Sequence, residues 1–427
     1  MFEGLFNFAN LSNHLILVGI FVILALSLNL INGSLGAFSL GHHAFWGMGA
    51  YVAGSVVWAL GTPDGGFVPW ALSFPLAMLA AALFGVLVGV PCLRLRGDYL
   101  AIVTLGFAEI FVIFVRNSES WKNLLSAPAG AETGPVRAIF AERGLGGAAG
   151  FSMGDGFKGG NDFVLSLMSR MLGPEQAIFG KNLFYLILTW LLVAATYLVI
   201  RNLLRSAHGR AILAIREDET AAELLGVNLT RYKVLAFVTG AAFAGLAGAL
   251  YANYLSNVSP NSFLLMNGIK ILLMVVLGGL GSMSGTFVAV MVLYASEQAL
   301  STLSMRVPFP AYTGGGFEFA DLELKELWQV IFSLVLVLLM LMRPQGIMGR
   351  EEFSRAWVRK ILAEWRKDPV MPVLTAAQWL QLLVVLAANR NPWVLLGSLL
   401  AVVGCQFFKL RRRTARLRAA AEGGARA

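Results

Sequence analysis

LVGIFVILALSLNLI, residues 17–31, holds no charged side chain and only Ser27 and Asn29 as polar ones. A barrel strand would alternate apolar and polar residues, and this run does not. A membrane-crossing helix needs about 20 mostly apolar residues, and the run extends to 14–31 without a charge. Similar runs follow along the chain, so spans are expected near 14–31, 37–60, 67–92, 98–115, 181–203, 232–254, 267–281, 284–304 and 326–342. The expected fold is all-α, a polytopic helical transmembrane bundle with about nine core spans. Two shorter runs, 373–389 and 393–409, flank Asn389-Arg390-Asn391-Pro392. They read as a short membrane hairpin, with an amphipathic helix lying on the surface as the alternative.

Composition agrees with that reading. Of 427 residues, 57% are hydrophobic and 13% charged, against about 25% charged in an average soluble domain. A soluble enzyme of this size would lack the polar side chains to cover its cores. Cys92 and Cys405 stand alone in apolar stretches, a pattern with neither a disulfide framework nor a metal site. Glu3 and the lack of Lys or Arg before the first run argue against a cleaved leader, so the first span is expected to stay.

The net charge of +9 is concentrated at one end: residues 343–427 carry 15 Lys and Arg against 5 Asp and Glu. Nucleic-acid binding is one reading of such a tail. In a membrane protein the positive-inside rule is the cheaper one, and no nucleic-acid partner is expected. Arg94 and Arg96, then Arg201, Arg205, Arg210 and Arg216, then Arg343 and Arg350 all fall on one side if the spans alternate. That side is assigned to the cytoplasm. The expected organisation is a transmembrane permease domain over 1–350 and a basic C-terminal extension over 351–427. Within the first, 117–180 forms an external loop and 209–228 a cytoplasmic one.

Small residues let membrane helices approach closely. Gly240, Ala244 and Gly248, beside Ala241, Gly245 and Ala249, therefore mark a helix–helix seam in the sixth span. Two denser glycine segments, 33–51 and 272–286, read as interrupted helices. Each glycine costs helix stability, and the freed backbone groups need protein or water around them at membrane depth. Such breaks border the solute site in many transporters. Ser39, Gly41, His42, Gly47, Gly278, Gly279 and Gly281 are thus the candidates for the translocation path. A tight turn between two spans is an equal reading of 278–285. Adjacent His42 and His43 project about 100° apart on a helix and could not readily share one metal; a buried histidine satisfied by a freed carbonyl is the favoured role, with a proton relay as the alternative. Away from the span ends the charges are few, Glu109, Lys270 and Glu297, read as a polar vestibule toward the outer half.

The loop GRAILAIREDETAAELLGVN, 209–228, is no span. Ala221, Ala222 and Leu225 share one helical face, and Glu219 and Glu223 form an i,i+4 row on another. Gly226 stands where a helix would end in the left-handed region. Like charges at that spacing weaken a free-standing helix, which favours docking on a partner as much as a solvated loop.

This loop resembles the Glu-Ala-Ala-type coupling segment of ABC importer permeases at Glu219, Ala221, Ala222 and Gly226. More widely, residues 17–31, 39–51, 95–110, the loop, 272–282 and 342–349 resemble, in order, the LivM branch of the LivH/LivM branched-chain amino acid permease family. His43 stands where members of that family usually have a small residue. In the outer loop only Thr133-Gly134-Pro135 and Gly159-Gly160-Asn161 approach the expected Thr-Gly-Gly-rich motif.

The resemblance implies a non-enzymatic transport subunit in the inner membrane of a bacterium, with no cofactor and no catalytic residues. Its partners would be a second, LivH-like permease, two cytoplasmic ABC ATPase subunits and an extracytoplasmic substrate-binding protein. The segment 217–225, with Glu217, Glu219, Ala221, Ala222, Glu223 and Gly226, would dock on the ATPase. Consistent with that division of labour, the chain holds no G-x-x-x-x-G-K-[ST] phosphate loop. The substrate would be Leu, Ile or Val, and a urea or short-amide importer stays open because the matched motifs do not read solute. An ion-coupled secondary transporter would place ionisable groups near the midplane, and a membrane-embedded enzyme would need a nucleophile or metal cluster that four scattered histidines do not supply.

Overall fold

The computed structural model describes residues 8–60, 66–93, 98–118, 151–152, 160–302, 306–313 and 316–323. Helix α1 (Phe8–Leu28) runs into a π-helical segment, Asn29–Leu35, and α2 (His42–Leu60), α3 (Phe67–Cys92) and α4 (Asp98–Arg116) follow. After β1 (Phe151–Ser152) come α5 (Gly160–Leu172), α6 (Ala177–Arg205), α7 (Ala207–Glu217), α8 (Glu219–Leu224) and α9 (Leu229–Leu255). Strand β2 (Asn257–Val258) and a 3-10 turn, Pro260–Phe263, lead to α10 (Leu265–Gly278), α11 (Met283–Thr302), β3 (Arg306–Thr313) and β4 (Gly316–Glu323). The described residues fall into two compact units, one ending at Met291 and one beginning at Val292. The second holds the end of α11 and the antiparallel β3–β4 ribbon, which runs from Arg306↔Glu323 to Thr313↔Gly316.

The first unit is a helical bundle, as expected. Among the described residues, Leu11–Leu35, Phe67–Cys92, Tyr99–Arg116, Ala177–Arg205 and Leu229–Leu255 are each long and apolar enough to cross a membrane. Helices α2, α10 and α11 occupy the second, seventh and eighth expected spans. The ninth, 326–342, lies outside the described residues, as do 373–389, 393–409 and the whole extension 351–427.

Two differences from the sequence reading shape the bundle. Helix α2 begins at His42, because Gly36, with φ 78°, ends the π-helical segment in the left-handed region and the chain stays non-helical to Gly41. The stretch read as an outer loop contains α5, which folds back on its neighbours. Phe163 packs its ring on Phe67 and Trp70, and Met168 and Leu172 cover Gly180 of α6. Strand β1 pairs with β2 beyond α9, Phe151 opposite Val258. Thr133-Gly134-Pro135 and Gly159 lie outside the described residues.

Helix α9 is the centre of the bundle, and its small side chains explain why. Gly240, facing Ser27 and Ile31, admits the first span. Gly245 meets Ala77 and Ala81 of α3, and Gly49 of α2 lies against the Gly245 backbone. Gly248 meets the backbone of Trp46 and Ala50. A β-carbon at Gly245 would overlap α3, so the seam needs glycine there. The outer face of α3 is the reverse of a soluble helix. Ser73, Ala77, Ala81 and Gly85 face inward, while Leu79, Leu83 and Leu87 are 55–65% exposed. Exposed leucine over buried serine and alanine is unfavourable in water and suits hydrocarbon.

Candidate functional site

The loop between α6 and α9 is built as two helices with a corner. Ser206 caps α7 by accepting a hydrogen bond from the Gly209 amide (3.3 Å). Ile212 and Ile215, both buried, then pack with Leu35, Ala222 and Ala236. Asp218 is extended, at φ −158° and ψ 113°, and its Oδ1 accepts from the amides of Thr220 (2.8 Å) and Ala221 (3.0 Å). An aspartate that caps the next helix cannot continue the preceding one, so the segment 217–225, read from the sequence as a docking helix, is the end of α7 and the six-residue α8. Glu217 is the last residue of α7, exposed on its surface.

Helix α8 closes with a Schellman motif. The Gly226 amide donates to the Glu223 carbonyl (2.9 Å) and the Val227 amide to that of Ala222 (3.1 Å), with Gly226 at φ 83°. This is the left-handed ending expected of Gly226. Val227 packs on the cluster that buries Ala222. Of the apolar face read from the sequence, only Ala222 is buried. Ala221 is exposed, and Leu224 and Leu225 are 84% and 83% exposed, because the chain turns away at Gly226. The acidic row is also split. Glu219 pairs with Lys233 of α9 at 2.6 Å, whereas Glu223 is exposed. Lys233 is nearly buried, so the ion pair removes the penalty of an unpaired internal charge.

The base of this loop meets both glycine breaks. The Arg216 side chain crosses Gly36 and Gly281. Its Cγ is 3.1 Å from where a β-carbon of Gly36 would stand, and its Nη1 is 2.6 Å from that of Gly281.

The first break, 36–41, is held by side chains that replace the lost helical hydrogen bonds. The Asn32 amide donates to the Ser39 carbonyl (3.2 Å) and accepts from the Ser39 amide (3.0 Å). The Leu40 amide donates to Thr104 Oγ1 (3.2 Å), and Gly41 lies against the Thr104 carbonyl. Buried backbone at membrane depth is tolerated on these terms. His42 Nε2 is 2.8 Å from Ser27 Oγ, so it is partnered by a hydroxyl. Gly47 packs under Phe111 and Phe263.

The second break is a tight turn, one of the two readings held for it. Gly279 and Gly281 have φ 107° and 92°, and Gly278 lies against the backbone of Thr286. Asn29, in the π-helical segment, clamps this turn. Its Oδ1 accepts from the Gly281 amide (2.8 Å), and its Nδ2 donates to the Ser282 carbonyl (3.0 Å) and Thr286 Oγ1 (2.9 Å). Gly281 thus meets Arg216 and Asn29, and Ser39 meets Asn32, whereas Gly41 and Gly47 pack elsewhere, on Thr104 and on Phe111 and Phe263; Arg216, Asn29 and Asn32 are not among the candidates drawn from the sequence. Two asparagines inside an apolar run were the available signal. No group of three His, Cys, Asp or Glu side chains placed to hold a metal occurs among the described residues.

Comparison with known proteins places this architecture. The family model for the permease component of branched-chain amino acid transport systems matches residues 10–341. The LivM permease protein of the high-affinity branched-chain amino acid transport system of Salmonella typhimurium is 35% identical over 329 residues, 77% of this chain and 68% of that protein. Its Escherichia coli counterpart is 34% identical over the same shares. The Salmonella typhimurium LivH permease protein is 34% identical over 169 residues, 40% of this chain and 47% of that protein. No solved structure matches. With family-wide similarity across the whole described bundle and apolar helices long enough to span, the chain belongs to the LivM-type permeases of branched-chain amino acid transport systems.

Proposed function

We propose that this chain is a multi-pass permease subunit of an ABC importer in the bacterial inner membrane, carrying Leu, Ile or Val inward. It works with a second, LivH-like permease, two cytoplasmic ATPases and an extracytoplasmic binding protein. The observation that carries the reading is the α8 tip. Leu224 and Leu225 are more than four-fifths exposed on a helix capped at both ends. An apolar tip on a rigid mount, in a loop whose arginines favour the cytoplasmic side, fits a groove on a soluble partner. Ala222 and the Glu219–Lys233 pair fasten the tip to α9, and Arg216 sits between it and the two glycine breaks. A push on α8 is thereby delivered to the turns that join the first span to α2 and α10 to α11. ATP binding on the partner supplies the push.

The test is co-expression with the neighbouring transport subunits, co-purification, and ATP-driven leucine uptake in vesicles, with the soluble partner assayed for leucine and urea. Leucine binding and uptake are expected; a urea-only partner would replace the substrate assignment. Glu223→Arg should leave insertion and folding intact while abolishing the link between hydrolysis and uptake. Wild-type uptake by that variant would remove α8 from the coupling role.

A further inference from the structure

Helix α4 carries an ionisable group where lipid would not accept one. Glu109 lies seven residues from Arg116 and ten from Tyr99, so at about 1.5 Å per residue it stands some 10 Å inside one end of the span and ~15 Å inside the other. Its side chain is 38% exposed. Ile102, Gly106 and Ile113 share its helical face, and the two isoleucines are 64% and 55% exposed. Nothing lies within 4 Å of where a β-carbon of Gly106 would stand, which leaves a notch one turn from the carboxylate. Intramembrane carboxylates face a water-filled cavity or a polar partner, not hydrocarbon. Unlike the all-apolar outer face of α3, this face carries a carboxylate among its isoleucines, which calls for a polar path or partner against it.

Behind it stands His43, fully buried, with Nε2 3.8 Å from Glu109 Oε1. That distance exceeds a hydrogen bond. Glu109 Oε1 and the His43 Nε2 that faces it make no hydrogen bond, while the Leu40 carbonyl attracts the N–H of the ring. Gly268 of α10 packs directly on the His43 ring and fixes its place. Buried polar atoms are nearly always satisfied, and an unsatisfied group calls for an explanation. With the ring N–H on the Leu40 carbonyl, Nε2 accepts beside a carboxylate that also accepts, so a group that satisfies both brings donors. An alkylammonium carries three N–H donors and no acceptor.

We infer that Glu109, backed by His43, is a binding point on the translocation path for the α-ammonium group of an amino acid. The inference rests on the importer reading above and adds a contact to it. Glu109 touches the solute; His43 is a positioning residue that closes the rear of the site and accepts a further donor. Gly106 leaves the room in which the ammonium and its first carbon sit.

The experiment uses the whole reconstituted transporter with leucine as probe. Uptake by the unsubstituted complex is the control on the importer reading itself: if that complex moves no leucine with ATP, the importer reading fails before this one is tested. In an active complex, Glu109→Gln should lower leucine uptake about tenfold or more, the size expected from loss of a hydrogen bond to a charged group. ATP hydrolysis stimulated by the loaded binding protein should persist, because the coupling loop is untouched. Glu109→Asp should recover most of the uptake. Separately, Glu109→Cys in a Cys92→Ala, Cys405→Ala background should react with a water-soluble cationic thiol reagent. Wild-type uptake by Glu109→Gln, a parallel fall of hydrolysis and uptake that Glu109→Asp does not relieve, or reaction only with a membrane-soluble maleimide would each overturn the assignment.

Discussion

Asn29 is a carboxamide placed in the middle of a hydrocarbon run, and its three hydrogen bonds give the reason. It satisfies the Gly281 amide and the Ser282 carbonyl in a turn 252 and 253 positions away along the chain. Each buried group left unpaired costs roughly 1–3 kcal/mol. Asn29→Leu, similar in size but without donors or acceptors, should insert normally and lower the thermal midpoint of the detergent-solubilised protein by several degrees. An unchanged midpoint would mean that the turn holds itself. Residue identities of this kind were visible in the sequence, since Asn29 and Asn32 stand out in an apolar context. Their partners were not, because hydrogen bonds over such separations leave no local pattern. The same holds for Glu219, whose spacing to Glu223 suggested an exposed acidic row until Lys233, inside the sixth expected span, proved to neutralise it.

At the scale of elements, periodicity and small-residue spacing were good guides where packing is simple. The seam on α9 is where the recurrence of Gly240, Ala244 and Gly248 placed it, with Gly245 pressed onto α3 and Gly49. Gly245→Leu should force α9 off α3 and cost about 1–3 kcal/mol or more, as overpacked cores do. The variant is expected to give low yield and a broadened gel-filtration peak, and a normal peak at normal yield would show that the seam can relax. The breaks were less legible. Glycine density located both, but the start of α2 at His42 depends on Asn32 and Thr104 holding 36–41 out of helix. The corner at Asp218 depends on a capping choice between two adjacent helices. Local propensity allows either outcome there, and tertiary contacts decide.

For the whole molecule, the central claim is a division of labour. The bundle turns apolar side chains outward to lipid along α3 and gathers its polar clamps at the two glycine breaks. The α7–α8 loop offers an apolar tip that no part of the described bundle covers. Such a tip is explained if a separate ATPase receives it. The most direct measurement is thiol labelling at Leu225→Cys, in a Cys92→Ala, Cys405→Ala background, with a membrane-impermeant reagent. Labelling is predicted only in inverted vesicles and should fall sharply once the ATPase subunits are bound. Labelling from the outside of intact cells, or labelling that the ATPases leave unchanged, would contradict the account.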